Sequence, residues 1–144
     1  MRMMLRGPIS GSLLHPSAGA SELFRCFSGE VNRLVWRILG ADPDHNDLVQ
    51  QVFCKLLTNW PSVRDPARLP GWVQAVTLNT VYQELRKRDV RRLFLRDMDL
   101  PKLHRDLTQE VEERDLLEAA FLVLRCLPAK QRIAFVLRYV EGEP

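Results

Sequence analysis

No apolar run in this 144-residue chain approaches the roughly twenty residues needed to cross a bilayer, so membrane insertion is not expected. Cysteine is scarce: the 3 present, Cys26, Cys54 and Cys126, are far apart, odd in number and without a Cys-x-x-Cys spacing. They support neither a disulfide framework nor a zinc site, and they fit a reducing, cytoplasmic location. There is no Gly-rich phosphate loop, no HExxH and no Ser/His/Asp grouping, and His15, His45 and His104 stand isolated. No catalytic residue, cofactor or metal is therefore expected. The start, Met1 to Ala20, carries Arg2 and Arg6 and ends in small residues as a signal peptide does, but Gly7, Pro8 and Gly11 break its apolar content. It reads as a disordered tail.

What the chain does contain is helical pattern and unevenly placed charge. Hydrophobic content of 46% and charged content of 27% are those of a soluble globular protein, and a net charge of +3 permits a nucleic-acid partner without requiring one. Much of the positive excess lies between Glu84 and Arg96, where Arg86, Lys87, Arg88, Arg91, Arg92 and Arg96 outnumber Glu84 and Asp89. The length allows one ordinary domain or two small ones, and the pattern suggests two small helical ones.

A first helix is expected from a cap at Ser21 to Gly40. Leu23, Phe24, Phe27, Val31, Leu34, Val35, Ile38 and Leu39 form its apolar stripe, Arg25, Glu30, Arg33 and Arg37 face outward, and Trp36 lies at the edge. A second runs from about Pro43 to Asn59, with Asp42 as cap, Pro43 at the first position and Asp44 and Asp47 near the positive end. Leu48, Val49, Val52, Phe53, Leu56, Leu57 and Trp60 form its buried stripe. Asp44, Asp47, Gln50, Gln51 and Lys55 are left as a polar strip that faces either water or a partner.

Between Trp60 and Gly71 the prolines Pro61, Pro66 and Pro70 rule out continuous helix. They either end one helix and begin the next, or pre-shape a ligand-binding loop. The third helix opens near Gly71 and runs at least to Arg88, burying Val73, Val76, Val81 and Leu85. Asn79 and Gln83 are one turn apart with Tyr82, Arg86 and Lys87 close by, which is either a solvated face or a set of amide, phenol and cation able to hold unpaired bases and phosphates. Trp72 at its start is a hydrophobic anchor or a stacking platform. From Val90 periodicity is lost and a linker is expected. Thr108 then caps a fourth helix with Val111, Leu117, Ala120, Phe121, Leu124 and Leu127 inward. Pro128 restarts the chain into a fifth, with Ile133, Val136, Leu137 and Val140 inward and Gly142 at its close. Two such helices bury too little to be secure alone and should pack on something else.

Leu39-Gly40-Ala41-Asp42-Pro43, Asp47-Leu48-Val49-Gln50-Gln51-Val52-Phe53, Trp72-Val73, Thr77-Leu78-Asn79 and the Arg/Lys cluster follow one another in an order and at spacings that carry a family likeness. From Glu22 to Arg92 the chain resembles region two of the extracytoplasmic-function (group IV) sigma factors of bacterial RNA polymerase. Leu127-Pro128-Ala129-Lys130-Gln131-Arg132 and Phe135 to Gly142 look like the opening of region four, whose helix-turn-helix would follow Pro144. The resemblance implies an all-α fold: a region-two domain over 21–92, a linker over 93–107 and a truncated region four over 108–144.

The resemblance also implies partners and residues. Core RNA polymerase would be met by Asp44, Asp47, Leu48, Gln50, Gln51 and Phe53. The melted −10 nontemplate strand of promoter DNA would be held by Arg64, Arg68, Trp72, Asn79, Tyr82, Gln83, Arg86, Lys87 and Arg88. An anti-sigma factor would regulate the protein. A different reading, prompted by the chain's stop at Pro144, is a sigma-like interaction module that binds polymerase or an anti-sigma partner without directing initiation.

Overall fold

The computed structural model describes residues 19–60, 63–94 and 113–142, and every regular element among them is helical. Helix α1 spans Ala20–Leu39, with Gly19 rather than Ser21 before it; the carbonyl of Gly19 accepts the N–H groups of Glu22 and Leu23 at 3.0 and 3.3 Å. It ends where expected. Gly40 takes φ 71° and its N–H closes on the Trp36 carbonyl, a reversal that a residue with a Cβ resists. The apolar stripe is buried from Leu23 to Leu39 except at Phe24, which is 53% exposed and leans on Phe53 with ring centroids 4.8 Å apart. Arg37, expected outward, is buried and ion-paired with Glu141, because the chain beyond α5 covers that side of α1.

Helix α2 spans His45–Asn59, two residues later than expected. Asp42 shapes the turn in front of it instead of capping it: its Oδ1 accepts the Asp44 N–H at 2.9 Å and its carbonyl accepts that of His45 at 3.2 Å. Leu48, Val49, Val52, Phe53 and Leu56 are buried, Trp60 packs at the core's edge, and Leu57, expected inward, is exposed.

A tight turn at Pro66–Arg68, held by the Ala67 N–H on Asp65 Oδ1 at 3.0 Å, feeds helix α3, Leu69–Phe94. The helix starts two residues before Gly71 and runs through Val90 into the expected linker. Leu69, Val73, Val81 and Leu85 are buried and Val76 is partly so. Thr77 and Thr80 join them, an addition the apolar pattern did not predict. Their hydroxyls donate to the Val73 and Val76 carbonyls at 2.8 and 2.7 Å, which satisfies the oxygen and leaves the methyl to pack. Each of α1, α2 and α3 packs on the other two, giving a three-helix bundle around one core.

Helix α4 is Glu113–Arg125 and α5 is Ala129–Phe135, begun after Pro128 and continued by a wider turn over Val136–Val140. Gly142, at φ 73°, follows. Thr108 and Val111 lie outside the described residues, as do the tail over 1–18 and the linker from 95. On α4, Phe121 and Leu124 are partly covered, as is Leu127 just beyond it, whereas Leu117 and Ala120, expected inward, are exposed. On the last segment Ala129 and Val136 join the bundle core and Ile133 packs against it, but Val140 is 44% exposed. The pair does pack on something larger, α3 and the end of α1. Among the described residues no helix is long and apolar enough to cross a membrane.

Candidate functional site

Helix α2 divides cleanly. Its buried half anchors the bundle, and Asp44, Asp47, Gln50 and Gln51 are exposed on the other side as an acidic-amide ridge. Leu48 and Phe53, placed by sequence among the partner-binding residues, are 1% and 6% exposed. They are core residues that hold the ridge in position, because any surface they gave to a partner would be withdrawn from α1 and α3. Lys55 turns away from the ridge: its ammonium donates to Thr80 Oγ1 at 3.2 Å and Gln83 Oε1 at 3.3 Å on α3.

On α3, Asn79, Gln83 and Arg86 are exposed at three- and four-residue steps and so line one helix face. Trp72, seven residues before Asn79, falls two turns along the same face, half-buried against the core. Tyr82 is likewise half-buried at the core's edge, which fixes its ring while leaving part of it in solvent. Lys87 is exposed, and Gln83, Arg86, Lys87, Val90 and Arg91 line a shallow surface groove. The structure thus brings amide, aromatic and cationic groups onto one ridge. Arg64 and Arg68 lie before α3 and are exposed; Arg68 makes a 3.7 Å pair with Asp65 with its own side chain 86% exposed, a contact worth little.

Arg88 does not belong to that exposed set. Its guanidinium donates to both Asp42 oxygens at 2.7 and 3.1 Å, to Asp44 at 2.9 Å and to Glu84 at 3.2 Å. Three of these four charge-assisted bonds pin the α1–α2 turn onto α3, and the fourth, to Glu84, lies within α3. The Asp42 hydrogen bond is the main reason its pKa rises above the ordinary guanidinium value. Burial alone would raise the pKa of Asp42, but hydrogen bonds from Arg88 and the Asp44 N–H, with the charges of Arg88 and Arg125, outweigh it and lower the pKa.

Sequence reasoning missed Arg132. It is 4% exposed, its Nε–H donates to the Ile38 carbonyl at 2.7 Å, and burial followed by the nearby charges of Arg125 and Arg88 pushes its pKa down to about 10. Nothing in its local pattern marks it as buried, since the partner carbonyl lies 94 residues away.

Residues 23–91, which hold most of α1, all of α2 and most of α3, match the family described as sigma-70 region 2. No curated protein and no solved structure matches the chain.

Proposed function

We infer, from the premise that residues 23–91 of this chain are a sigma-70 region 2 domain, that the protein is a transcription initiation factor of the extracytoplasmic-function type. The α2 ridge of Asp44, Asp47, Gln50 and Gln51 docks on core RNA polymerase. The α3 face of Trp72, Asn79, Tyr82, Gln83, Arg86 and Lys87, with Arg64 and Arg68 in the loop before it, holds the melted −10 nontemplate strand.

The observation that carries this reading is the exposed row Asn79, Gln83 and Arg86 beside two half-buried aromatics on a rigid helix. Amides read base edges, aromatics stack on unpaired bases and cations neutralise phosphate. The chemistry is binding, with no covalent step. Unstacking a base costs a few kcal/mol, and each base captured by stacking returns about 1–3 kcal/mol, so trapping opened strand shifts the duplex toward melting. A cytoplasmic location and control by an anti-sigma partner go with this role.

Run-off transcription with purified core polymerase and a promoter template tests it. Promoter-dependent RNA is expected on adding the protein. Tight association with core that yields no such RNA would make the protein an interaction module and sink the initiation reading.

A further inference from the structure

A cavity of about 270 Å³ lies where the α1–α2 turn, the second half of α3 and the start of α5 meet. Its walls include Arg88, Arg92, Arg125 and Arg132 against Asp42 and Asp89. Four guanidiniums and two carboxylates line this partly open space, and Asp44 and Glu84 reach Arg88 from beside it. Arg88 is already taken by Asp42, Asp44 and Glu84, and Asp89 Oδ2 accepts the Ala129 N–H at 3.2 Å. Among the described residues the other three cations rest on backbone carbonyls. Arg92 donates to the Arg125 carbonyl at 3.0 Å, Arg125 to that of Ala41 at 3.2 Å and Arg132 to that of Ile38 at 2.7 Å. Arg132 is the most demanding of them: it is 96% buried by its 4% exposure, and its Nη2 has no hydrogen-bond partner among the described residues.

We propose that this cavity binds a small phosphate-type oxyanion. A buried guanidinium with no carboxylate bonded to it is costly and stays charged at neutral pH, so Arg132, with the half-buried Arg125 and the exposed Arg92 beside it, favours an anion that accepts several N–H bonds at once. Tetrahedral oxyanions do this, and the fork geometry of arginine matches them. The volume falls just under the roughly 300–1,000 Å³ of small-molecule pockets, which suits an ion with a few waters, each occupying about 30 Å³. Because Arg92 comes from α3 and Arg125 and Arg132 from α4 and α5, a bound anion also fastens the last two helices to the bundle.

The test is thermal unfolding and calorimetric titration of the full chain with inorganic phosphate, ionic strength being held constant with sodium chloride. A saturable rise in Tm is expected, with Kd weakened about tenfold in Arg92→Gln and again in Arg125→Gln, each of which removes charged hydrogen bonds. Arg25→Gln, an exposed charge on α1 remote from the cavity, should bind as the parent does. The general salting-out effect of phosphate is unsaturable and shared by all four proteins. If phosphate stabilised parent, R92Q and R125Q alike, or failed to bind the parent, the site would be refuted. Displacement of phosphate by a short DNA duplex would overturn the assignment to a small free anion.

Discussion

Arg88 holds Asp42 by two near-parallel N–H···O bonds, Nη1 to Oδ2 at 2.7 Å and Nη2 to Oδ1 at 3.1 Å, across 46 positions of sequence. The Asp42 side chain is 10% exposed and that of Arg88 is 21% exposed, so the pair is shielded from most of the screening that weakens surface ion pairs. The same carboxylate shapes the turn into α2 through Asp44, so one residue links the entry of α2 to the second half of α3.

Asp42→Asn should therefore destabilise the chain by about 1–3 kcal/mol at neutral pH. The carboxyl's pKa is lower folded than unfolded, so its contribution is full above the unfolded value of about 3.9 and is lost as pH falls through the folded one. Urea midpoints of parent and variant should differ most near pH 7 and converge below about pH 4. A gap that stayed constant through that range would remove the ionised pair as its cause.

Asn79→Ala and Arg86→Ala should fail in different ways. Both side chains are exposed on α3 and neither holds the core, so stability should hold within about ±0.5 kcal/mol for each. Loss of the amide should relax discrimination among −10 sequences by about 1–3 kcal/mol, whereas loss of the cation should weaken all sequences alike and flatten the salt slope by about 0.7. Competition binding over several salt concentrations separates the two, and identical behaviour would refute the division of roles.

On α2 the contrast is between ridge and core. Asp47→Arg reverses an exposed charge and should weaken association with core polymerase at least tenfold with little change in Tm, if the ridge docks there. Leu48→Ala, one position on, should cost about 2–5 kcal/mol of stability by leaving a cavity. Polymerase pull-down and thermal melting, run on both, would expose a misplaced ridge if Asp47→Arg bound core as well as the parent does.

The helices themselves were legible because Leu23, Phe27, Val31 and their counterparts on α2 and α3 repeat at helical period, and Gly40 marks where α1 must end. The exposed row on α3 was legible for the same reason, as the residues left over once the buried ones are assigned. What could not be read is whatever depends on distant chain. Arg88 fits the basic cluster by composition, yet Asp42 claims it; Arg37 fits a solvated face, yet Glu141 covers it. Leu48 and Phe53 are a different case, since a family motif names exposed and core residues together and only the packing tells them apart. Thr77 and Thr80 were missed because a threonine that bonds its own helix behaves as an apolar residue, and hydropathy alone scores it as polar.

Gly40 supplies the last prediction. At φ 71° and ψ −152° it occupies backbone space that is essentially reserved for glycine, and a Cβ built there would meet Phe121 Cδ1 at 2.9 Å. The ring cannot simply swing away, because it stands edge-on to Trp36 with centroids 5.4 Å apart. Gly40→Ala thus combines backbone strain of about 1–3 kcal/mol with a steric term. Phe121→Ala removes the ring and with it the steric term, but leaves the strain. Urea unfolding of the two single variants and the double should show a smaller penalty for Gly40→Ala in the Phe121→Ala background, with the backbone share persisting. An equal penalty in both backgrounds would mean that α4 does not rest on this turn in solution, and no penalty in either would mean that the turn itself is misdescribed.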